Sequence, residues 1–175
     1  MGVSVALASF IVLIGFLAIF STVSTAFFTG MQQLSFAAND YMNNQKDKAN
    51  TQIQLTVDST SATACEVTIK NTGSKTIFMQ NSDGFNWNTI ILSYGNNAQW
   101  HSYTIEGYQI LEVKVSGTNT TFNLATHNFI NPGEQMNISL SIPSEAPEIS
   151  PQDVVSITFA SYDGVTASGE AVMGQ

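Results

Sequence analysis

The fold of this chain is decided near its start by Phe10-Ile11-Val12-Leu13-Ile14-Gly15-Phe16-Leu17-Ala18-Ile19-Phe20, within the almost wholly apolar segment Val3 to Thr29. The first 39 residues contain no Lys, Arg, Asp, Glu or His. About 20 apolar residues cross a hydrocarbon core of about 30 Å as a helix. The segment also lacks Pro, so residues 1–30 are predicted to form a transmembrane or filament-core helix.

A cleaved signal peptide is the weaker interpretation of this segment. Signal peptides carry a basic stretch ahead of an apolar core of roughly 7–15 residues. Here no basic residue precedes the apolar run, and the run is longer than that core. Within the helix, Phe10, Ile14, Leu17 and Phe20 are predicted to pack against lipid or against another helix.

The helical pattern continues beyond the apolar run as a polar extension. Residues 31–38 are amphipathic, and residues 39–48 are polar but compatible with a helix. We therefore predict an amphipathic helical stalk over residues 31–50. At about 1.5 Å per residue, residues 3–48 would span roughly 70 Å, so part of the helix should project beyond a membrane.

From residue 51 onward the hydrophobic period changes from helical to alternating. Short runs in which every second residue is apolar are separated by turn signals, which is typical of a β-sandwich. Seven to nine strands are predicted over residues 51–175. They include a short strand at Thr121–Leu124, a turn at 81–84, a hairpin at Asp163-Gly164 and an exposed proline-rich crossing at 143–151.

Composition excludes several classes of function. The net charge is −8, all five cations are Lys, and Arg is absent. Because phosphate and base recognition normally relies on Arg, nucleic-acid binding is not expected. One cysteine, Cys65, excludes an intramolecular disulfide and is predicted to be a small buried residue.

No catalytic or metal-binding pattern is recognisable. The histidines, His101 and His127, have no carboxylate or cysteine at a metal-ligand spacing, so surface or half-buried positions are expected for them. No nucleophile elbow or phosphate-binding loop is present. We therefore expect neither an enzyme nor a cofactor.

Two other kinds of candidate site remain. Asn119 and Asn137 begin glycosylation sequons. Phe85, Trp87 and Trp100 belong to an aromatic-rich stretch that is either sandwich core and sheet-edge packing or a contact surface for a protein partner.

The whole chain resembles, in outline, the F component of the archaellum (archaeal flagellum) motor, a type IV pilin-like family. The segments that carry the resemblance are Met1-Gly2-Val3-Ser4-Val5, the stalk from Asn39-Asp40-Tyr41 to Gln52-Ile53, Val67 to Ile77 with Asn71-Thr72-Gly73-Ser74, Asn131-Pro132-Gly133-Glu134, and Val154 to Ala171 with Asp163-Gly164-Val165.

The resemblance implies a stator. It implies an immunoglobulin-like head that lies outside the cell membrane and binds the surface-layer protein. It also implies a related G component as partner and a homodimer. The absence of a basic leader favours a retained membrane protein over a processed filament subunit. The alternative is an archaellin or adhesive pilin, a homopolymer in an extracellular filament, with helices in the core and the sandwich outside. An uncharged run of 39 residues fits a filament core well, because such a core tolerates unpaired charge poorly.

Overall fold

The computed structural model describes residues 2–80, 84–96 and 99–174. The chain divides into two compact units, Met1–Gln45 and Lys46–Gln175. The first unit is helical. The second, which we call the head, contains the last turn of the same helix and all of the described strands.

Helix α1 extends over Gly2–Asn50. It lacks Pro throughout, and Lys48 in its last turn complements the negative end of the helix dipole. The helix ends where Thr51 closes its last turn: the Thr51 amide and hydroxyl both donate hydrogen bonds to the Asp47 carbonyl, at 3.0 and 2.9 Å.

The described residues form ten strands. They are β1 Ile53–Thr60, β2 Ala64–Asn71, β3 Ile77–Phe78, β4 Thr89–Gly95, β5 Trp100–Ile105, β6 Tyr108–Val115, β7 Phe129–Ile130, β8 Glu134–Ser141, β9 Val154–Ala160 and β10 Thr166–Val172. Two four-stranded sheets, in the orders β1-β2-β8-β6 and β10-β9-β4-β5, and a small β3-β7 pair make up the head, and every pairing is antiparallel. The predicted fold class, a long apolar helix followed by an all-β sandwich, is confirmed.

The core of the head is formed by the alternating apolar positions of the strands. Cys65, Val67 and Ile69 of β2 are buried, and so are Ile157 and Phe159 of β9. At one side of the head, Gly169 of β10 lies against Leu55 of β1, so closely that a side chain at position 169 would collide with it. The apolar periodicity in the sequence therefore identifies the faces that the two sheets bury.

Three details differ from the sequence-based predictions. The described strands number ten, more than the seven to nine predicted. Thr121–Leu124 is not a strand, because only Thr121 bridges to β6, and Asn123 turns the chain by accepting a hydrogen bond from the Ala125 amide at 3.0 Å. The proline-rich crossing is not wholly exposed, since Ile149 is buried. Most of the turn predicted at 81–84 lies outside the described residues.

Candidate assembly surfaces

The surface of α1 is apolar over most of its length. One helix, Val3–Asn50, is long and apolar enough to cross a membrane, and none of its apolar window is buried within the chain. Phe10, Ile14, Leu17 and Phe20 are each more than half exposed. The four residues that were predicted to pack against lipid or another helix are therefore available for such contacts.

Three hydroxyl groups of this apolar helix are satisfied locally. Ser9, Thr22 and Thr25 each donate a hydrogen bond of 2.9 Å to the carbonyl four residues earlier. Because an unpaired hydroxyl is costly where water is absent, these bonds suit a helix covered by lipid or protein. These three hydroxyl groups are thus compatible with a dry environment.

The three aromatic candidates do not form one surface. Trp87 lies just before β4 and is 49% exposed, whereas Trp100 lies beyond the other end of β4, opposite Gly95, and is 52% exposed. A seven-residue strand is about 23 Å long, so the two indoles are well separated. Phe85 lies near Trp87 in sequence and is also exposed. Tyr94, from the same stretch, is core, as the packing interpretation predicted.

A charged cluster joins the last turn of α1 to the sheets of the head. The Lys75 ammonium lies 3.0 Å from Asp47 of α1 and 2.9 Å from Asp163 of the β9–β10 turn, and 5.4 Å from the centre of the Tyr162 ring. Burial alone would lower the pKa of Lys75, but the hydrogen bonds from the two carboxylates outweigh burial and raise that pKa. Thr51 also donates a hydrogen bond to Asp163, at 3.3 Å.

The backbone of the same region is closely fitted. The amides of Ser74 and Lys75 donate hydrogen bonds, at 2.8 and 3.2 Å, to the carbonyl of Asn50, which is the last residue of α1. A Cβ at Gly73 would collide with the backbone of Asn50 and Gln52. The Asn71-Thr72-Gly73-Ser74 turn therefore holds the end of the helix in place.

Two turns that are distant in sequence meet beside the end of α1. The buried Asn71 amide group donates to the carbonyls of Lys75 and Ile130, both at 2.8 Å. The Gly133 amide in turn donates to the Asn71 carbonyl at 3.0 Å. The Asn71 and Asn131-Pro132-Gly133-Glu134 segments thus stabilise each other.

Glu134 is the centre of a second buried polar group. It accepts hydrogen bonds from the Asn131 amide at 2.7 Å and side chain at 3.1 Å, and lies 2.9 Å from His127 Nε2. Burial would raise the pKa of Glu134, but these hydrogen bonds outweigh it and lower the pKa. The His127 ring is stacked on Phe122 and packs at a tilt against Phe129. This arrangement fastens the segment before β7 to the start of β8.

The two sequons occupy different environments. Asn119 is exposed in the turn that follows Gly117. Asn137 lies within β8, between β2 and β6, and its side-chain oxygen is buried without a hydrogen-bond partner among the described residues. The Asn137 side-chain nitrogen, which would carry a glycan, donates a 3.5 Å hydrogen bond to Asp58 at the sheet surface. Asn119 is therefore the more accessible glycan acceptor of the two.

The described residues contain no group of three or more His, Cys, Asp or Glu side chains that could hold a metal ion. Cys65 is buried, and burial raises the pKa of its thiol to about 11. His101 lies on β5, partly buried and stacked with Tyr103.

An exposed N-terminal helix without charge up to residue 39, followed by an antiparallel β-sandwich head, is typical of a pilin-like structural protein. The model of the archaeal-type flagellin family matches residues 2–171, and the chain belongs to this family. It is therefore a structural component of the archaellum, and an apolar N-terminal helix of this kind is compatible with a membrane or with a filament.

A solved archaeal flagellum structure has a similar fold. The chain is similar to the archaeal flagellum of Methanospirillum hungatei strain JF1, with 12% identity and a TM-score of 0.62 over 95% of this chain and 92% of that one. It is more distantly similar to the archaellum periplasmic stator protein FlaG from Sulfolobus acidocaldarius, with 21% identity and a TM-score of 0.39 over 69% of this chain and 100% of that one. The FlaF and FlaG stator complex of that organism matches with 21% identity and a TM-score of 0.40, over 67% of this chain and 88% of that one. No curated protein matches the chain.

Proposed function

We propose that this chain is a repeating subunit of an archaellum filament, with α1 packed among the helices of other copies and the head outside. The observation that carries this proposal is the length of the uncharged run. Thirty-nine residues form about 58 Å of helix, nearly twice the thickness of a hydrocarbon core.

A stator held by one membrane-spanning helix needs only about 20 of these residues. The remaining stretch, near residues 30–39, would then place exposed Met31, Leu34 and Phe36 in water. Packing against other helices covers the whole run instead. For this reason we propose the filament role in preference to a stator that binds the surface-layer protein beside a G component.

A charge placed late in the run separates the two roles. Phe36→Lys puts an ammonium group where a filament core would exclude water, but where a membrane anchor already projects into solvent. Asn43→Lys is the matched control, because position 43 lies among residues that already carry charge.

Full-length, tagged chains are expressed in an archaeal host, and sheared surface material is examined by electron microscopy and mass spectrometry. We expect wild-type and Asn43→Lys chains in filaments, and Phe36→Lys chains in the membrane fraction only. A wild-type chain that stays in the membrane and co-purifies with surface-layer protein would instead establish the stator role. Filaments with unchanged yield of Phe36→Lys would also contradict the proposal.

A further inference from the structure

One edge of the head is open to a further strand. The sheet β10-β9-β4-β5 ends at β5, whose main chain is hydrogen-bonded to β4 alone among the described residues. Its register with β4 is unbroken, and the strand contains no Pro, Lys, Asp or Glu. Natural proteins protect edge strands with such residues or with bulges, because an unprotected edge pairs with other chains. β5 has none of these protections, and we call its outer side the open edge.

The other three edges of the two large sheets are protected. β1 and β10 lie against each other, with Gly169 of β10 packed on Leu55 of β1, and the register of β1 is irregular. The register of β6 is irregular too, and the chain returns along it: the Phe122 amide donates a hydrogen bond to the Val113 carbonyl at 2.9 Å. A second head that adds a strand to either large sheet can therefore do so only at β5.

The free main-chain groups of the open edge occur at every second residue. At the turn before β5, the Asn96 amide donates to the Gln99 carbonyl at 3.0 Å, which marks a hydrogen-bonded pair between the two strands. Hydrogen-bonded and non-hydrogen-bonded pairs alternate along an antiparallel ladder. Counted from the turn, Trp100, Ser102 and Thr104 direct their N–H and C=O groups away from β4. All three residues are exposed, so their free groups face water.

We infer that β5 of one copy pairs antiparallel with β5 of a second copy, about a two-fold axis at Ser102. The inference goes beyond the proposed filament function and does not depend on it. In this register Ser102 faces Ser102 of the second copy, and His101 faces Tyr103.

β5 already faces the same kinds of residue in β4. Ser93 lies opposite Ser102, with the two hydroxyls 2.9 Å apart, and Tyr94 lies opposite His101. The rings of Tyr94, His101 and Tyr103 pack on one another along the inner face of the sheet. A second β5 continues the sheet with a serine opposite Ser102 and a tyrosine opposite His101, as β4 does on the other side.

The register follows from the positions of the free groups. Because Ser102 directs both of its groups outward, two facing copies of Ser102 form a hydrogen-bonded pair. Trp100 then faces Thr104 of the second copy, so all three free residues of each strand are used, in about six main-chain hydrogen bonds. The Trp100 side chain, 52% exposed, packs against a β-branched residue on the same face. A slip by one residue would set outward side chains against inward ones.

The symmetry of this contact distinguishes it from the packing proposed for α1. A contact between two identical surfaces closes on itself, so β5 pairing joins two chains and stops. Filament growth needs a heterologous contact, and copies joined in that way all point in the same direction. The two paired heads therefore belong to separate filaments that lie side by side.

Disulfide trapping of the full-length chain in detergent tests the contact. Ser102→Cys places two thiols at the two-fold axis, where facing Cα atoms are about 5.5 Å apart and a disulfide can form. Ser168→Cys is the matched control, because Ser168 is exposed on the other edge strand of the same sheet. Its hydroxyl, like that of Ser102, lies 2.9 Å from a hydroxyl on the neighbouring strand. The unchanged chain, whose Cys65 is buried, gives the background.

We expect Ser102→Cys to give at least about tenfold more cross-linked dimer than Ser168→Cys under mild oxidation. Equal yields would overturn the inference, because association through α1 alone favours neither position. Cross-linking of Ser102→Cys to a foreign protein in host membranes, in place of a second copy, would overturn it too.

Two further cysteine variants test the register. Two copies of residue 100 lie about 14 Å apart along the paired strands, so Trp100→Cys alone should not form a dimer. Differently tagged chains with Trp100→Cys and Thr104→Cys should form a mixed dimer as readily as Ser102→Cys forms its own. Self-cross-linking of Trp100→Cys at the yield of Ser102→Cys would contradict the two-fold axis at Ser102.

A charge at the same position measures the contact without a cross-link. Ser102→Lys brings two ammonium groups together at the axis, and a lysine on an edge strand opposes pairing. Sedimentation in detergent should give a dimer dissociation constant at least about tenfold higher for Ser102→Lys than for Ser168→Lys, with circular dichroism confirming that both are folded. Electron microscopy should find equal filament yields for the two variants. Equal dissociation constants, or the loss of filaments in Ser102→Lys alone, would refute a two-fold contact between separate filaments.

Discussion

Replacing Lys75 by Met should loosen the attachment of the last helical turn to the head. The substitution keeps the length and apolar stem of the side chain but removes the ammonium that bridges Asp47 and Asp163. The Asp163 side chain, only 11% exposed, would lose its cationic partner and keep weaker neutral donors, Thr51 among them. Asp47 is about half exposed and would recover water.

The magnitude follows from this difference in burial. Breaking a fully buried ion pair costs about 3–5 kcal/mol, whereas exposed pairs contribute about 0–1 kcal/mol. Lys75 is 27% exposed, so the free-energy cost of removing its charge should lie between these limits. We expect Lys75→Met to lower the free energy of unfolding of the head by about 2 kcal/mol, which corresponds to about 1 M in the urea midpoint.

Urea titration of the full-length chain in detergent measures this change. Both tryptophans lie in the head, so their fluorescence reports its unfolding. Lys70→Met is the matched control, because no ion pair to Lys70 occurs among the described residues. It should change the free energy of unfolding by less than about 0.5 kcal/mol.

The double variant Lys75→Met with Asp163→Asn distinguishes a true pair from a general loss of packing. Removing the stranded carboxylate should recover part of the lost stability, giving a coupling energy of about 1 kcal/mol. The reasoning would be refuted if Lys75→Met behaved like Lys70→Met, or if the effects of the two substitutions were simply additive.

Three further outcomes are expected. Because the pKa of Glu134 is lowered, its contribution to stability is present above the ordinary carboxyl pKa of 4.5 and is lost as the pH falls below it. Thermal melts from pH 7 to pH 3 should therefore show a fall in melting temperature, and Glu134→Gln should make that fall smaller. The same substitution should cost about 1–2 kcal/mol of stability at neutral pH. Gly73→Ala should destabilise the head by about 1–3 kcal/mol in urea titration, because its Cβ collides with backbone, whereas Gly107→Ala, where nothing lies within 4 Å, should not. Mass spectrometry of the protein from a glycosylating host should find a higher glycan occupancy on exposed Asn119 than on Asn137, which lies half-buried within a strand, and modification of Asn137 alone would contradict this expectation.

The sequence predicted those parts of the fold that depend on local pattern. The uncharged run indicated the helix, and the alternation at Cys65, Val67 and Ile69 identified a buried face that the structure confirms. The pattern was less accurate at Ile53 and Val57, which are only half-buried. Both lie on β1, an edge strand with an irregular register after Val57, so packing at the sheet edge altered what alternation alone predicts.

The arrangement of the candidate sites depends on contacts that no local pattern reveals. Lys75 and Asp163 are 88 positions apart, and neither has a local partner that would indicate an ion pair. Trp87 and Trp100, by contrast, are close in sequence, yet β4 separates them by its whole length. Because strand pairing decides which residues meet, nearness in sequence was misleading for the aromatic candidates and uninformative for the charged ones.

The exposure of α1 indicates how many neighbours each part of it needs. Consecutive helical residues are about 100° apart, so the five residues Phe10 to Ile14 cover every side of the helix, and each is more than half exposed. A single partner helix covers only one stripe, so this part must be surrounded by lipid or by several helices. From residue 39 onward, Tyr41 and Met42 are the large apolar residues left, and they lie on one face. One neighbouring surface is enough to cover them.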